Sequence, residues 1–179
     1  VRAGSRLQGE GGSVAGRALI VGEGGDGDGA LLRLAGQPTP RTTRVNVDRN
    51  RGDLTIAAGA QLAADGSIEL DATRDNDFNG TVQLGSGGTL AIAAGSMSLG
   101  AAPLGTSGLL LDDARLASLA GSAALALRAY DAMDVYGAVQ LGGPSLHSLT
   151  LETGNLRGFI GAGDVAQLEA RQIVLGNPN

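Results

Sequence analysis

A chain of 179 residues with 31 Gly, no Cys, no Trp, two Phe and two Tyr must fill any core with small aliphatic side chains. At 42% hydrophobic and 17% charged it is too apolar for disorder, and its glycines lack the G-x-y period of collagen. A net charge of −5, with Arg as the only strong base, excludes general nucleic-acid binding, and the absence of Cys excludes disulfides, thiolate chemistry and the common structural zinc sites.

The chain opens Val1-Arg2-Ala3-Gly4, with no basic and apolar leader, and its apolar runs are far short of a membrane span. It reads as a mature segment or an excised fragment. Residues 1–51 are the less regular part. They hold the apolar run Leu19-Ile20-Val21 and end in a Pro/Arg-rich loop over 36–51, marked by Pro38, Pro40, Arg41, Arg44, Arg49 and Arg51.

From 52 to 179 the pattern is regular. Alternating triplets bounded by Gly, Asp, Asn or Ser recur: Leu54-Thr55-Ile56, Ile68-Glu69-Leu70, Val82-Gln83-Leu84, Leu90-Ala91-Ile92, Met97-Ser98-Leu99, Leu125-Ala126-Leu127, Val139-Gln140-Leu141, Leu149-Thr150-Leu151 and Ile173-Val174-Leu175. Aliphatics at i and i+2 place one face of a strand inward. Strands this short need stacking, coil upon coil, to bury their aliphatic column. Longer words also repeat. Ile56-Ala57-Ala58-Gly59 returns as Ile92-Ala93-Ala94-Gly95, and Val82-Gln83-Leu84-Gly85 as Val139-Gln140-Leu141-Gly142, at offsets of 36 and 57. Those offsets suggest coils of about 18–20 residues, and hence roughly nine coils in a rod of about 45 Å. The fold expected is all-β: a right-handed parallel β-helix, or β-solenoid, forming one segment over 1–179. Residues 113–134 contain helix formers around Gly121, but the flanking period favours strand there.

These phrases resemble the filamentous haemagglutinin family of large bacterial exoproteins, adhesins of the two-partner-secretion type. The resemblance is carried by Gly27-Asp28-Gly29-Ala30-Leu31-Leu32-Arg33, Leu70-Asp71-Ala72-Thr73, Asp134-Val135-Tyr136-Gly137, Ser148-Leu149-Thr150-Leu151 and Val174-Leu175-Gly176-Asn177. It implies a β-helical shaft, an internal or distal segment, exported through an outer-membrane transporter. The shaft would then be secreted or held at the bacterial surface, where it meets a host-cell or neighbouring-cell receptor or glycan.

Several motifs invite a chemical reading. Gly22-Glu23-Gly24-Gly25-Asp26-Gly27 has dinucleotide-fingerprint spacing, but the following Gly and Pro leave no helix to receive a pyrophosphate, so a glycine corner is the better account. The same stretch approaches a calcium β-roll repeat and lacks its second acid. Asp75, Asp77 and Asn79 begin an oxygen-ligand loop and form the calcium candidate, against an Asx-rich turn as the alternative. Arg51-Gly52-Asp53 is a cell-adhesion tripeptide, against a plain corner glycine with charged flanks. The arginines of 36–51 suit sulfated glycans or anionic lipid, or else pair with Asp48 and Asp53. Asp112-Asp113 is the only adjacent carboxylate pair, and His147, the sole imidazole, is expected to face solvent.

With no nucleophile, base and orienting group in sight, the chain is read as non-enzymatic. It is expected to be a structural and adhesive shaft that presents binding loops. The alternatives are a polysaccharide-active enzyme on the same fold and a passive subunit that self-associates end to end. Residues 36–53 and 73–80 are expected to project from the shaft, with Arg74–Asn79 dispensable to the fold.

Overall fold

The computed structural model describes residues 6–9, 18–22 and 29–177, with side chains described from Gly29 onward. The glycine-rich stretch 23–28, which carries most of the dinucleotide-like and β-roll-like spacings, lies outside the described residues. In chain order the strands are β1 (Arg6–Gly9), β2 (Ala18–Gly22), β3 (Ala30–Ala35), β4 (Asp53–Ile56), β5 (Gln61–Ala64), β6 (Ser67–Ala72), β7 (Asp75–Phe78) and β8 (Thr81–Leu84). There follow β9 (Thr89–Ala94), β10 (Met97–Gly100), β11 (Leu109–Leu111), helix α1 (Asp113–Leu119), β12 (Ala124–Tyr136), β13 (Val139–Gly142), β14 (Ser148–Phe159), β15 (Ala166–Glu169) and β16 (Gln172–Gly176). Each of the nine alternating triplets lies in one of these strands.

The architecture is a parallel β-solenoid of about five turns. Its main face stacks β6, β9, the first half of β12, the first half of β14 and β16, all parallel. The register superposes like on like. Ile68, Leu90, Leu125, Leu149 and Ile173 form one inward column, and Leu70, Ile92, Leu127, Leu151 and Leu175 form the next. A second face carries β4 and β7, then β11, β10 and the second halves of β12 and β14, which turn the corner from the main face as continuous strands whose mutual register shifts between Ala129 and Ala132. A third face carries β1, β5 and β8, and later β13 and β15. All three feed one aliphatic core in which Ile56, Leu62, Leu70, Leu127 and Leu141 have no exposed surface.

The coils differ from the expected 18–20 residues. Successive rungs of the main face start at Ser67, Thr89, Ala124, Ser148 and Gln172, so the repeats are 22, 35, 24 and 24 residues. The repeated words misled because any of the three faces accepts the same triplet. Ile56 lies on the second face and Ile92 on the main face, so that repeat is not a coil period. The Val82 and Val139 words do share the third face, but two coils separate them, one of them enlarged.

The enlarged coil also corrects the expectation of strand over 113–134. Residues 113–119 form α1, and only 124–136 are strand. Asp112 caps the helix, its carboxylate accepting from the Arg115 N–H at 2.9 Å, and Asp113 sits favourably in the first turn. Leu116 and Leu119 enter the core. In every other coil a third-face strand precedes the main-face strand; here α1 takes that place.

Residues 73–80 do not project. β7 pairs with β4 from Asp53↔Asp75 to Ile56↔Phe78, and Asn76 and Phe78 are buried. Deleting Arg74–Asn79 would therefore remove a rung of the second face, contrary to the expectation from sequence. At the N-terminal end the parallel stack closes on β3, which runs antiparallel to β6 and pairs on its far side with antiparallel β2.

Placing a charge in an inward column sets an unpaired group inside the stack. Ile92→Asp is expected to cost about 4 kcal/mol or more and abolish a single cooperative unfolding transition in urea. The outward Gln83→Ala should shift that transition by less than about 0.5 kcal/mol.

Candidate functional site: a strap and its flanking clefts

The segment between β3 and β4 has no regular structure from 36 to 52, as its Pro and Gly content dictates, yet it does not project either. It lies as a strap along the outer surface of the main face. The sheet is built to receive it. Between the inward aliphatics, β6 turns Glu69 and Asp71 outward, and beside them stand Ala91, Ala93 and Ala126, whose small side chains leave a shallow trough. Thr39 and Ser67 share a hydroxyl hydrogen bond at 2.8 Å where the strap enters.

Glu69 accepts from the Thr42 N–H at 2.7 Å and pairs with Arg33 at 2.5 Å. Asp71 is the deepest anchor. The Arg44 Nε donates to it at 3.0 Å and the Tyr130 hydroxyl lies 3.0 Å from both its oxygens. Arg44 and Asp71 side chains are 0% and 3% exposed, so this pair is dry. Burial pushes the Asp71 carboxyl above its ordinary range, partly opposed by Arg44 and Tyr130. Burial, reinforced by the charge of Asp71, pushes the Tyr130 hydroxyl up as well.

Farther along the stack, Arg41 grips Glu152 with two hydrogen bonds of 2.9 Å, and Arg49 reaches Asp131 at 2.8 Å. The hydrogen bonds from Arg41 hold the Glu152 carboxyl below its usual value. The strap thus ties the first coil to the third and fourth. Most of the basic cluster read as a ligand patch is committed to the sheet's own carboxylates, and the expected pairing with Asp48 and Asp53 is a minor part of it: Arg51 lies 4.0 Å from Asp48.

The Arg51-Gly52-Asp53 tripeptide sits at the strap's exit. Gly52 has φ +83°, and a Cβ there would lie 2.1 Å from the Gly29 carbonyl oxygen. The Thr73 hydroxyl donates to the Arg51 carbonyl at 2.8 Å, and the Arg74 N–H donates to that of Gly52 at 3.1 Å. Arg51 itself is well exposed, but the Asp53 carboxylate is already forked by the Arg74 guanidinium, which keeps its pKa low. The tripeptide is a fastened corner.

Asp75, Asp77 and Asn79 come out on the solvent side of β7 and its following turn. An extended strand spreads them along a line, where a calcium loop would wrap them about a point. The Asn79 amide donates to Asp77, and its carbonyl accepts from Arg115 at 2.6 Å. Among the described residues, no group of three or more His, Cys, Asp or Glu is placed to hold a metal ion.

What the three residues do line is a cleft of about 630 Å³ between β7 and the insertion of the enlarged coil. Asp75, Asp77 and Asn79 form one wall, and Thr106, Ser107 and Asp112 face them. Arg115 crosses its end, with its guanidinium 5.9 Å from the Phe78 ring centre. A second cleft of about 380 Å³ adjoins it through Asp75 and Ser107, and is lined by Arg49, Arg74 and Asp131. The pair of clefts brings carboxylates, an amide, hydroxyls and guanidinium groups together, with Arg49 held by Asp131, Arg74 by Asp53 and Arg115 by Asn79. Neither the strap nor the insertion wall was found from sequence. The outward Glu69 and Asp71 opposite small alanines were the available signal for the strap. His147 is exposed between buried Leu146 and Leu149, as expected.

No protein-family model, curated protein or solved structure matches the chain. The class its fold defines is a parallel β-solenoid with a fastened surface strap and a polar double cleft. No helix among the described residues is long and apolar enough to cross a membrane.

Two outcomes test this geometry. Arg44→Ala strands a buried carboxylate and is expected to cost about 3–5 kcal/mol in urea denaturation, while Glu152→Gln, at a partly exposed pair, should cost less than about 1 kcal/mol. Because folding lowers the Glu152 pKa, its contribution exists above the ordinary glutamate value of 4.5 and is lost as pH falls through the folded value; the Glu152→Gln difference should vanish in acid. Separately, Gly52→Ala should lower the melting temperature by several degrees, whereas Arg51→Ala should leave it within about 1 °C.

Proposed function

We infer that this chain is a structural and adhesive shaft segment of a secreted or surface-attached exoprotein. One observation carries the reading. Five in-register coils share a continuous aliphatic core, and one surface strap braces them lengthwise, a construction suited to holding a binding surface at a distance. The phrases that resemble the filamentous haemagglutinin family within the described residues fall on ladder strands and their corners, consistent with a shaft of that kind. Export through an outer-membrane transporter and a place at the bacterial surface belong to the same reading.

The binding surface is the double cleft beside β7. It is the place where the enlarged coil departs from the regular repeat, and its mixture of acceptors and donors fits a cell-surface glycan. The polysaccharide-active alternative draws on the same cleft, since Asp75, Asp77 and Asp112 line it together. Asp112 is nonetheless occupied as a helix cap.

Glycan-array binding decides between these readings. The chain is expected to retain a glycan class, and the Asp77→Ala, Arg115→Ala double variant should lose at least about tenfold in affinity, which is about 1.4 kcal/mol, with its far-UV circular dichroism unchanged. Retained glycan that is shortened with time, in a manner lost on Asp112→Asn, would favour the enzyme. No binding to any glycan would remove the cleft from the adhesive reading.

A further inference from the structure

Asn79-Gly80 is the only pair in the chain in which asparagine precedes glycine. It forms the turn between β7 and β8, with Asn79 exposed. Packing explains the glycine: a Cβ on Gly80 would lie 2.6 Å from the Ile56 Cγ2 and 2.9 Å from the Ala60 carbonyl oxygen. On either side the backbone is fastened, the Asn79 N–H donating to the Ile56 carbonyl at 2.7 Å and the Thr81 N–H to that of Ala60 at 2.9 Å. Between them, the Gly80 N–H donates to no acceptor among the described residues. A backbone nitrogen with no side chain to shield it and no hydrogen bond to occupy it therefore follows the Asn79 amide directly.

That amide is gripped at both ends. Its Oδ1 accepts from the Arg115 guanidinium at 2.6 Å, and its Nδ2 donates to the Asp77 carboxylate. The orientation is fixed by chemistry, because a guanidinium only donates and a carboxylate only accepts. Arg115 is itself positioned by the Phe78 carbonyl, to which it donates, and by the Phe78 ring beneath it. A cation on the amide oxygen stabilises the negative charge that develops there when a nucleophile adds to Cγ. A carboxylate on the amide nitrogen is placed to deliver a proton to a departing amine.

We propose that Asn79 is a self-modifying residue, which the folded chain converts through a cyclic imide to aspartate or isoaspartate with Arg115 and Asp77 as the catalytic residues. The Gly80 nitrogen attacks the Asn79 Cγ, closing a five-membered ring within one turn of chain. The Cγ–Nδ2 bond breaks, the proton of the Gly80 nitrogen passes by way of Asp77 to Nδ2, and ammonia leaves. Water, the sole co-reactant, then opens the ring, returning a proton to the Gly80 nitrogen and leaving a carboxylate. Opening at Cγ gives aspartate. Opening at the main-chain carbonyl gives isoaspartate, which lengthens the backbone between β7 and β8 by one atom. Either product adds a negative charge to the cleft wall, beside Asp75 and Asp77 and facing Arg115. This inference does not depend on the adhesive reading, because it concerns the chemistry of the turn and not what the cleft binds.

Peptide mapping by mass spectrometry tests it on the 179-residue chain incubated at neutral pH. In the folded chain Asn79 should lose its amide ahead of every other asparagine, and faster than the same residue does in urea, where the pair keeps its sequence and loses its neighbours. Arg115→Ala and Asp77→Asn should each slow the folded conversion by at least about fivefold with far-UV circular dichroism unchanged, and in urea all three chains should convert alike. If one variant loses its fold, the other and the comparison with urea carry the result. An intact Asn79 after folded incubation, slower conversion folded than unfolded, or one folded rate for all three chains would overturn the proposal.

Discussion

A carboxylate buried among hydrocarbon is expensive unless it is fully partnered, and Asp71 sits under that constraint. Its oxygens meet the Arg44 guanidinium from the strap and the Tyr130 hydroxyl from the third coil. Neither partner is optional, because each would itself be left polar and dry. The requirement fixes three things together. The strap must lie flat, the third coil must stack in the register that brings Tyr130 over the first, and the rung between them must be small enough for the strap to pass. Ala91 and Ala93 satisfy the last condition. The exposed pairs of Arg41 and Arg49 contribute little each. They become worthwhile once the buried pair has already confined the strap, since their side chains then lose less freedom on pairing.

The sequence reveals the rungs far better than the turns between them. Alternation is a local property, and Ile68-Glu69-Leu70 or Leu149-Thr150-Leu151 makes a strand wherever it lands. Coil length is a property of the circuit, and three faces that accept one kind of triplet erase its signature. The Ile56-to-Ile92 repetition is real as chemistry and empty as geometry. The helix at 113–119 was visible in its Asp cap and its leucines at 116 and 119, and was overridden by a period that the structure does not have.

The site was harder to read for a related reason. Arg41 and Glu152 are far apart in the chain, as are Arg49 and Asp131, and no local pattern announces such pairs. Short motifs meanwhile attracted chemistry that their surroundings remove. Arg51-Gly52-Asp53 is a corner because Gly29 leaves room for a hydrogen and nothing more. The acids of 75–79 are set along a strand because Asn76 and Phe78 between them are drawn into the core. The same alternation delivers Asp75 and Asp77 to the cleft, so the residues singled out as a calcium loop remain at the surface that faces a ligand.

The helix that replaces a third-face strand divides that side of the stack into two ladders, β1-β5-β8 and β13-β15. Main-chain ladder hydrogen bonds cross from one block of coils to the next on the main face, but neither on the third nor, between β7 and β11, on the second. A solenoid pulled or strained along its axis responds rung by rung, with each interface as a separate spring. This one has a single continuous ladder at its middle. Tension would part the second and third faces there, hinging the two blocks about the main sheet, with the strap lying along the outside of that hinge as a tendon. Between its two blocks the stack is thus joined by the main sheet and the strap, while the other two faces meet there by side-chain packing alone.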